Sequence, residues 1–443
     1  PSTEAPLLEL WIKKAAIRHG AKVLVASPRR IELGRYDGPW LGYRPGTEQV
    51  LMHGLARAIL DTGPGDTEGQ GSRATNTSEY QMWLKDWTPA QVERVTGVAP
   101  QALRQAAHIL AQAKHPIILY GPAWVRGSTA TLEAMSNFAL LLGDIEVGFV
   151  AEDSNTLGAR EMGVVPDLYP GGQSFQDNRI RNRLAGFWGG RLSPVDGLDF
   201  DGMMEKARDG GLQAMWIVGS DPANECRVAG EALGRIPFLV VQDLFMTDTA
   251  SLAEVILPAA SFAETDGSYS NLTGRLQVLR AGKRPPGEAQ PDWWIIAELA
   301  KRMLDGKRMR AWEFGGPAQV LGEIARAVPK FRRVDYARMG EMGFQRPAPE
   351  TRARRTFTQV EPEVAAHDPE FPLILATGRL LYDRGTLANR SAQIRNLVPA
   401  AFVMINPIDA QELDLADGDS VSVVSTKGRL GFTLQVSDEV APG

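Results

Sequence analysis

The sequence predicts an α/β protein, with doubly wound, mostly parallel sheets in two α/β domains and a small, incomplete β-barrel at the C-terminal end. Three observations predict it. Continuous apolar runs of strand length recur, and each ends in a turn of small or polar residues. Helical patterns separate these runs, the alternation expected of α/β layers. After residue 372 the pattern changes to short alternating strands around tight turns.

The elements follow in order. LLELWIKKAAIRH is a helical pattern and precedes the first apolar run, AKVLVASPRR at 21–30. DTGPGDTEGQGSRATNTS at 61–78 is too polar and glycine-rich to pack a core and reads as a mobile surface loop. PQALRQAAHILAQA precedes the second run, HPIILYGPA at 115–123, and TLEAMSNFALLLGD follows it. Together these form a Rossmann-like domain over 1–150. The third and fourth runs, LQAMWIVGSDPANE at 212–225 and IPFLVVQD at 236–243, belong to a second α/β domain over 151–344. Unbroken β-branched and apolar runs suit strands covered on both faces, as in parallel sheets.

The stretch 345–372 is rich in proline and charge and reads as a linker. Its Arg352, Arg354 and Arg355 fit a solvated connector, or else a partner contact. The last domain, 373–443, opens with PLILATGR as a strand. NPIDAQELDL is a short helix opened by Asn406-Pro407, with proline in its first turn. SVSVV and GFTLQV alternate as strands about a Lys427-Gly428 turn.

Composition excludes several classes of function. The 443 residues are 44% apolar and 23% charged, as in ordinary globular proteins. A net charge of -5 argues against nucleic acid or an acidic membrane as the main partner. No apolar run approaches the roughly 20 residues that span a bilayer. PSTEAPLLELWIKKA has no signal-peptide layout and no initiator Met, which suggests part of a longer chain. Cys226 is the single cysteine, so no internal disulfide can form and no iron–sulfur cluster can be held by this segment alone. A reducing compartment is the simplest reading. The five histidines show no zinc-binding spacing.

GxSxG, Walker A and GxGxxG motifs are all missing, which weakens readings as a hydrolase, kinase or NAD dehydrogenase. What remains is a set of strand-end loops: SPRR, GSDPANE, QDLFMTDTA and TGRL. Parallel α/β sheets bind ligands beyond the carboxyl ends of their strands. The candidate binding residues in these loops are Ser27, Arg29, Gly219, Asp221, Asn224, Gln242, Asp243, Thr247, Thr249, Gly378 and Arg379. Their small residues, carboxylates, hydroxyls and arginines suit an extended ligand with phosphates and a ribose. Asp243, Thr247 and Thr249 serve equally well as caps of the following helix. No catalytic residue and no metal ligand emerges.

As a set, and in this order, the loops resemble those of the molybdopterin oxidoreductase superfamily. MWIVGSDPANE, VVQDLFMTDTASLAEVILPAASFAETDGSYSNLTGRLQ and the tail from LILATGR through NPIDAQELDLADGDSVSVVSTKGRLGFTLQV carry the resemblance. PSTEAPLLELWIKKA and SNTLGAREMGVVPDLYPGG look most like the large iron–sulfur subunit of the respiratory NADH–quinone oxidoreductase (complex I). DYARMGEMGFQRP looks more like the formate dehydrogenases.

The first likeness implies a scaffold with a disused active site. It would lie in the electron-input arm beside flavin- and cluster-bearing subunits, cytoplasmic and peripheral to the inner face of the cell membrane. That reading expects no cofactor in this segment; the 4Fe-4S and 2Fe-2S clusters of full-length members lie elsewhere. No membrane insertion and no nucleic-acid partner is implied. The second likeness implies a molybdenum enzyme with a bis(molybdopterin guanine dinucleotide) cofactor.

Two departures from the formate dehydrogenases matter. Ser27-Pro28-Arg29 stands where they carry Asp-Pro-Arg, and Ala151 stands where they carry an essential arginine, four residues before Asn155. In LPAASFAETDGSYSNLTGRLQ, at 257–277, Glu264, Asn271 and Arg275 either contact a cofactor or satisfy the protein's own polar groups. Trp293-Trp294 reads as core packing or a subunit interface, and Cys226 as a small buried hydrophobe.

Overall fold

The computed structural model describes residues 5–62, 75–122, 124, 129–143, 145–151, 153–304, 306–346, 356–362, 368–378, 380–382 and 385–443. Most of the expected 61–78 loop, the arginines at 352, 354 and 355, and Arg379 lie outside them. The chain divides into two compact units: Pro1–Glu152 together with Glu350–Gly443, and Asp153–Pro349. Both mix helices with small sheets, so the α/β class is observed.

The first unit begins with helix α1 (Pro6–His19), β1 (Val25–Ala26) and β2 (Trp40–Leu41), the two strands pairing in parallel. Helices α2 (Glu48–Asp61), α3 (Thr77–Trp83), α4 (Pro89–Thr96) and α5 (Pro100–Ala111) follow. Strand β3 (Ile117–Tyr120), helix α6 (Thr129–Leu142) and strand β4 (Glu146–Phe149) complete this part. β3 and β4 pair in parallel.

Helix α2 is the centre of the core: Val50, Leu51, Leu55 and Ile59 are all buried, as are Val92 of α4, Leu103 of α5 and Phe138 of α6. Gly54 lets α4 approach closely, since a Cβ there would sit 2.6 Å from a Val92 methyl. The core also holds a return segment from far along the chain. Phe357 is buried and stacks on Tyr80 at 4.3 Å. The side-chain amides of Asn76 and Asn137 bond the backbone N–H and C=O of Phe357 and Thr358 respectively. His53 is fully buried between Trp83 and Trp87, and its Nε2 lies 3.0 Å from the Val360 carbonyl. Within the stretch expected as a linker, residues 356–362 are thus strapped into the first unit.

The second unit opens with α7 (Thr156–Glu161), the short hairpin β5 (Leu168–Tyr169) and β6 (Gln173–Ser174), α8 (Asn178–Trp188) and α9 (Phe200–Arg208). Asp177 and Asp199 cap α8 and α9, each accepting backbone N–H groups of the first turn. Strand β7 (Ala214–Val218) leads through α10 (Pro222–Glu225) and α11 (Arg227–Leu233) to β8 (Phe238–Asp243), and then to β9 (Val255–Pro258). The three strands form a parallel sheet in the order β7-β8-β9. Leu239 and Val241 of β8 pack with Met204 and Ala207 of α9 and with Ala229, Ala232 and Leu233 of α11.

A second cluster surrounds the hairpin of β10 (Gly267–Ser270) and β11 (Arg275–Leu279), which β12 (Phe344–Gln345) extends. Leu276 packs there with Leu184 of α8 and with Leu321 of a later helix; helix α12 (Asp292–Met303) precedes that helix, α13 (Pro317–Ala327). Residues 268–277 thus form a strand-loop-strand. Arg346 locks this cluster. It pairs with Glu161 at 2.7 Å, donates to the Gly274 carbonyl and lies over the Phe331 ring, and both partners of the ion pair are largely buried.

Back in the first unit, β13 (Phe402–Ile405), α14 (Pro407–Glu412), β14 (Ser420–Ser425) and β15 (Gly428–Val436) follow. Asn406 caps α14, as its Asn-Pro start implied. The sheet order is β13-β15-β14, and no closed barrel is present among the described residues. PLILATGR does not form the expected strand. Apolar content alone makes no strand without a neighbour to complete the ladder; here Ile374 N–H bonds the Gly443 carbonyl.

Burial lowers the pKa of His53 from 6.5 to about 4, against the opposing bond to Val360. The folded state thus holds the ring neutral while the unfolded chain protonates it. Stability is complete above pH 6.5 and falls as pH drops toward 4, by an amount on the order of 3 kcal/mol. Thermal unfolding followed by tryptophan fluorescence should show this slope, and His53→Gln should flatten it. Arg346→Ala strands a buried carboxylate and should destabilise the second unit by about 3–5 kcal/mol in chemical denaturation. Arg346→Lys, which keeps the charge, should cost less.

Candidate functional site

Parallel pairing brings the carboxyl ends of β7, β8 and β9 to one edge, and the loops that leave them carry most of the candidate residues. Gly219 follows β7 with φ +61°, is exposed, and has no atom within 4 Å of where a Cβ would stand. Its N–H donates to the Gln242 carbonyl at 2.9 Å, and space stands open on the side where a Cβ would be. Asp221 is buried, and its Oδ1 accepts from both the backbone N–H (2.9 Å) and the hydroxyl (2.8 Å) of Thr249. Thr249 Oγ1 in turn accepts from Ala223 N–H at 3.0 Å. Thr247 Oγ1 accepts from Ala250 N–H at 3.0 Å. Asp221 and Thr249 thus join the two loops, while Thr247 stiffens the loop after β8 from within. Asn224 stays exposed beside it.

Gln242 and Asp243 end β8. Gln242 is fully buried; its Nε2 donates to Asp292 Oδ1 at 2.6 Å, while its Oε1 has no partner. Asp243 accepts from Leu244 N–H at 2.6 Å. Burial raises its pKa above the ordinary carboxylate value, the Asp221 and Asp292 charges add to the rise, and backbone N–H groups oppose it. No sequence motif singled out Asp292. The PDWW start of α12 read only as a helix beginning, and the bond to Gln242 spans fifty residues.

In the first unit Ser27 follows β1. Its Oγ accepts from Arg29 N–H at 3.3 Å, and its carbonyl accepts from Trp40 Nε1 at 2.9 Å. Arg29 is exposed and bridges to Val440, and Arg30 N–H bonds the Glu439 carbonyl, so the SPRR turn pairs with the end of the chain. Gly378 is exposed.

The 257–277 segment is occupied with its own unit. Glu264 pairs with Lys283 at 2.8 Å and accepts from Ser261 N–H, which together lower its pKa to about 2. Asn271 Oδ1 accepts from Thr273 N–H, Thr273 Oγ1 and Arg275 N–H, and Arg275 reaches the Met342 carbonyl. Asn155 fastens the start of α7 to the hairpin by accepting from Ser270 N–H at 3.0 Å.

Residues 1–302 match the molybdopterin oxidoreductase family model. The chain belongs to the molybdopterin oxidoreductase family. Residues 373–443 match a second model, the molydopterin dinucleotide binding domain. The F420-dependent formate dehydrogenase subunit alpha of Methanocaldococcus jannaschii is 28% identical over 99% of this chain and 68% of its own length. Formate dehydrogenase H of Escherichia coli is 30% identical over the whole of this chain and 66% of its own length. The solved structure of acetylene hydratase from Pelobacter acetylenicus superposes with a TM-score of 0.72 at 18% identity, covering 99% of this chain and 68% of that one. Other curated relatives are matched over about half their length, 51% and 47%.

These relatives favour the formate dehydrogenase branch over the complex I branch. The expectation of a molybdopterin oxidoreductase segment without any cofactor is not supported, because its last 71 residues (373–443) match a dinucleotide-binding module. The second-unit edge fits such a group. Gln242 has an acceptor oxygen without a partner and Asp243 a buried carboxylate, while space stands open beside Gly219, whose N–H is held by the Gln242 carbonyl at 2.9 Å. Among the described residues no helix is long and apolar enough to cross a membrane.

Asp221→Ala leaves two Thr249 donors unmatched and should lower stability by about 2–3 kcal/mol in urea titrations. Asp221→Asn keeps an acceptor oxygen in place and should cost about 1 kcal/mol.

Proposed function

We propose that this chain is the dinucleotide-holding body of a formate-dehydrogenase-like molybdenum oxidoreductase. The observation that carries the proposal is the polar edge where β7 and β8 end, with Gln242 and Asp243 buried beside an open glycine loop. The match of 373–443 to a dinucleotide-binding module supports it. Gly219, Asn224, Gln242 and Asp243 would hold the group in the second unit; Ser27, Arg29, Gly378 and Arg379 are the candidates in the first. When bound, a molybdopterin guanine dinucleotide supplies two-electron chemistry at its metal.

The residues of this chain bind and orient. The Asp221–Thr249 brace fixes the loop after β7 before any ligand arrives, so little ordering cost falls on binding. Asp243 accepts N–H donors from a nucleotide base as a carboxylate. Gln242 is held by Asp292 through its amide nitrogen, leaving the oxygen as acceptor.

A second reading has Ala151 behind it. A methyl group cannot stabilise a developing anion as the arginine of the formate dehydrogenases is expected to do. On that reading the chain is the scaffold part of the large iron–sulfur subunit in a respiratory NADH–quinone oxidoreductase, docked to flavin- and cluster-bearing subunits at the inner face of the membrane.

Elemental analysis for molybdenum and acid release of guanine nucleotide from the natural polypeptide decide between the two. Near-stoichiometric amounts of both are expected. Asp243→Ala should lower nucleotide content by about tenfold at limiting cofactor, from the loss of a charge-assisted bond. Absence of both metal and nucleotide would favour the scaffold.

A further inference from the structure

One face of the second unit concentrates positive charge, although the whole chain carries a net charge of -5. From 178 to 195 the sequence holds Arg179, Arg181, Arg183 and Arg191 and no carboxylate. The fold brings further cations to the same place. Arg183 bonds Gln173 of the β5–β6 hairpin, and the Lys330 ammonium lies 3.7 Å from where a Cβ of Gly172 would stand in the turn of that hairpin. At the other end of α8, the guanidinium of Arg326 on α13 lies over the Phe187 ring, 5.8 Å from its centroid. The Arg308 stem comes within 4.0 Å of where a Cβ of Gly189 would stand.

These charges are not consumed inside the protein. Arg179 has 93% of its side chain exposed, and its nearest acid, Asp177 at 3.6 Å, is committed to capping α8. Among the described residues no ion pair holds Arg183, Arg191, Arg326 or Lys330. Arg332 and Arg333 follow Lys330, and both are exposed. Arg333 has φ +77°, a backbone conformation that suits glycine and strains an arginine. The chain thus carries a cation where the backbone favours glycine.

Beside this basic band the surface is hollow. A cavity of about 480 Å³ is walled by Phe314, Gly322 and Arg326, with the carboxylates Glu313 and Glu323 in its lining. Gln319 fixes its rim by accepting from Gly315 N–H at 2.7 Å. Gly322 lies inside α13, where helix propensity favours almost any other residue, and no atom stands within 4 Å of where its Cβ would be. Packing does not require this glycine; its effect is to keep the cavity open. Phe187 and Trp188 stay exposed at the same end of α8.

Arginines with exposed Phe and Trp around a pocket are the composition of protein–protein hot spots. A nucleic acid or an anionic membrane is disfavoured, because its phosphates would meet Glu313 and Glu323 in the cavity wall and Asp167 just before β5. A protein surface can match both signs. We propose that this face docks a separate acidic protein, whose carboxylates meet Arg179, Arg183 and Lys330 while an apolar side chain between them fills the cavity at Gly322. The inference goes beyond the functional reading above and rests on no cofactor.

Photo-crosslinking of the natural polypeptide in its own cells tests it, with p-benzoylphenylalanine replacing Trp188. The expected product is a crosslink to one other protein, at a segment rich in Asp and Glu. Arg179→Glu combined with Arg183→Glu should lower its yield about tenfold, and Gly322→Leu, which fills the cavity, about fivefold. Both variants should unfold at the parent's temperature, and Arg429→Glu, in the first unit, should leave the yield unchanged. If charge reversal disturbs folding, Arg179→Ala with Arg183→Ala should still lower the yield about threefold. A crosslink within the same polypeptide, to a second copy or to nucleic acid, a crosslinked segment without acids, no crosslink at all, or a yield indifferent to the arginine and glycine substitutions overturns the proposal. Molybdenum and nucleotide content enter none of these measurements, so failure here and failure of the functional reading are distinguishable.

Discussion

Parallel strand pairing is the constraint on which the second unit depends. Once β7, β8 and β9 run the same way, their carboxyl ends lie at one edge, and so do the loops that follow. Every candidate binding residue of this unit comes from those loops or from the last two residues of β8. The same pairing obliges the chain to return by crossovers; the first of them places α11 against Leu239 and Val241, where α9, which precedes β7, packs as well. Core and site are thus two results of one ladder: apolar residues occupy its covered face, and polar residues collect at its end.

The polar edge is organised in two ways. Asp221 and Thr249 spend their bonding capacity tying the loop after β7 to the loop after β8, and Thr247 spends its own within the second loop. Gln242 and Asp243 keep part of theirs. Gln242 has an acceptor without a partner, and Asp243 is a carboxylate whose ionised form is opposed by burial and by neighbouring acids. A rigid brace beside under-used acceptors is the arrangement expected of a preformed binding site, because unmatched buried polar groups are costly unless something occupies them.

The first unit shows a different dependence. Its helical core is closed by residues that come more than 200 positions later, through Phe357 on Tyr80 and the reciprocal amide bonds of Asn76 and Asn137. Residues 373–443, which match the dinucleotide-binding model, fall in the same compact unit, where Arg30 N–H bonds the Glu439 carbonyl.

Much of this was legible in the residues themselves. Unbroken apolar runs mark β3, β7 and β8 as strands, although Ile117 and Leu119 of β3, Trp216 and Val218 of β7 and Phe238 of β8 stay exposed. Asn406-Pro407 marks α14, because capping and a fixed φ act within a single turn. The order of the strand-end loops pointed to the family. Local chemistry could not reveal Asp292 as the partner of Gln242, the capture of 356–362 by His53, or the failure of PLILATGR to become a strand. Each depends on which distant backbone or side chain is at hand to complete a hydrogen bond. The sequence by itself determined which segments favour helix or strand, since that preference is a property of neighbours along the chain. Only the tertiary structure decided which polar groups are already satisfied and which remain open to a ligand, since that follows from neighbours in space.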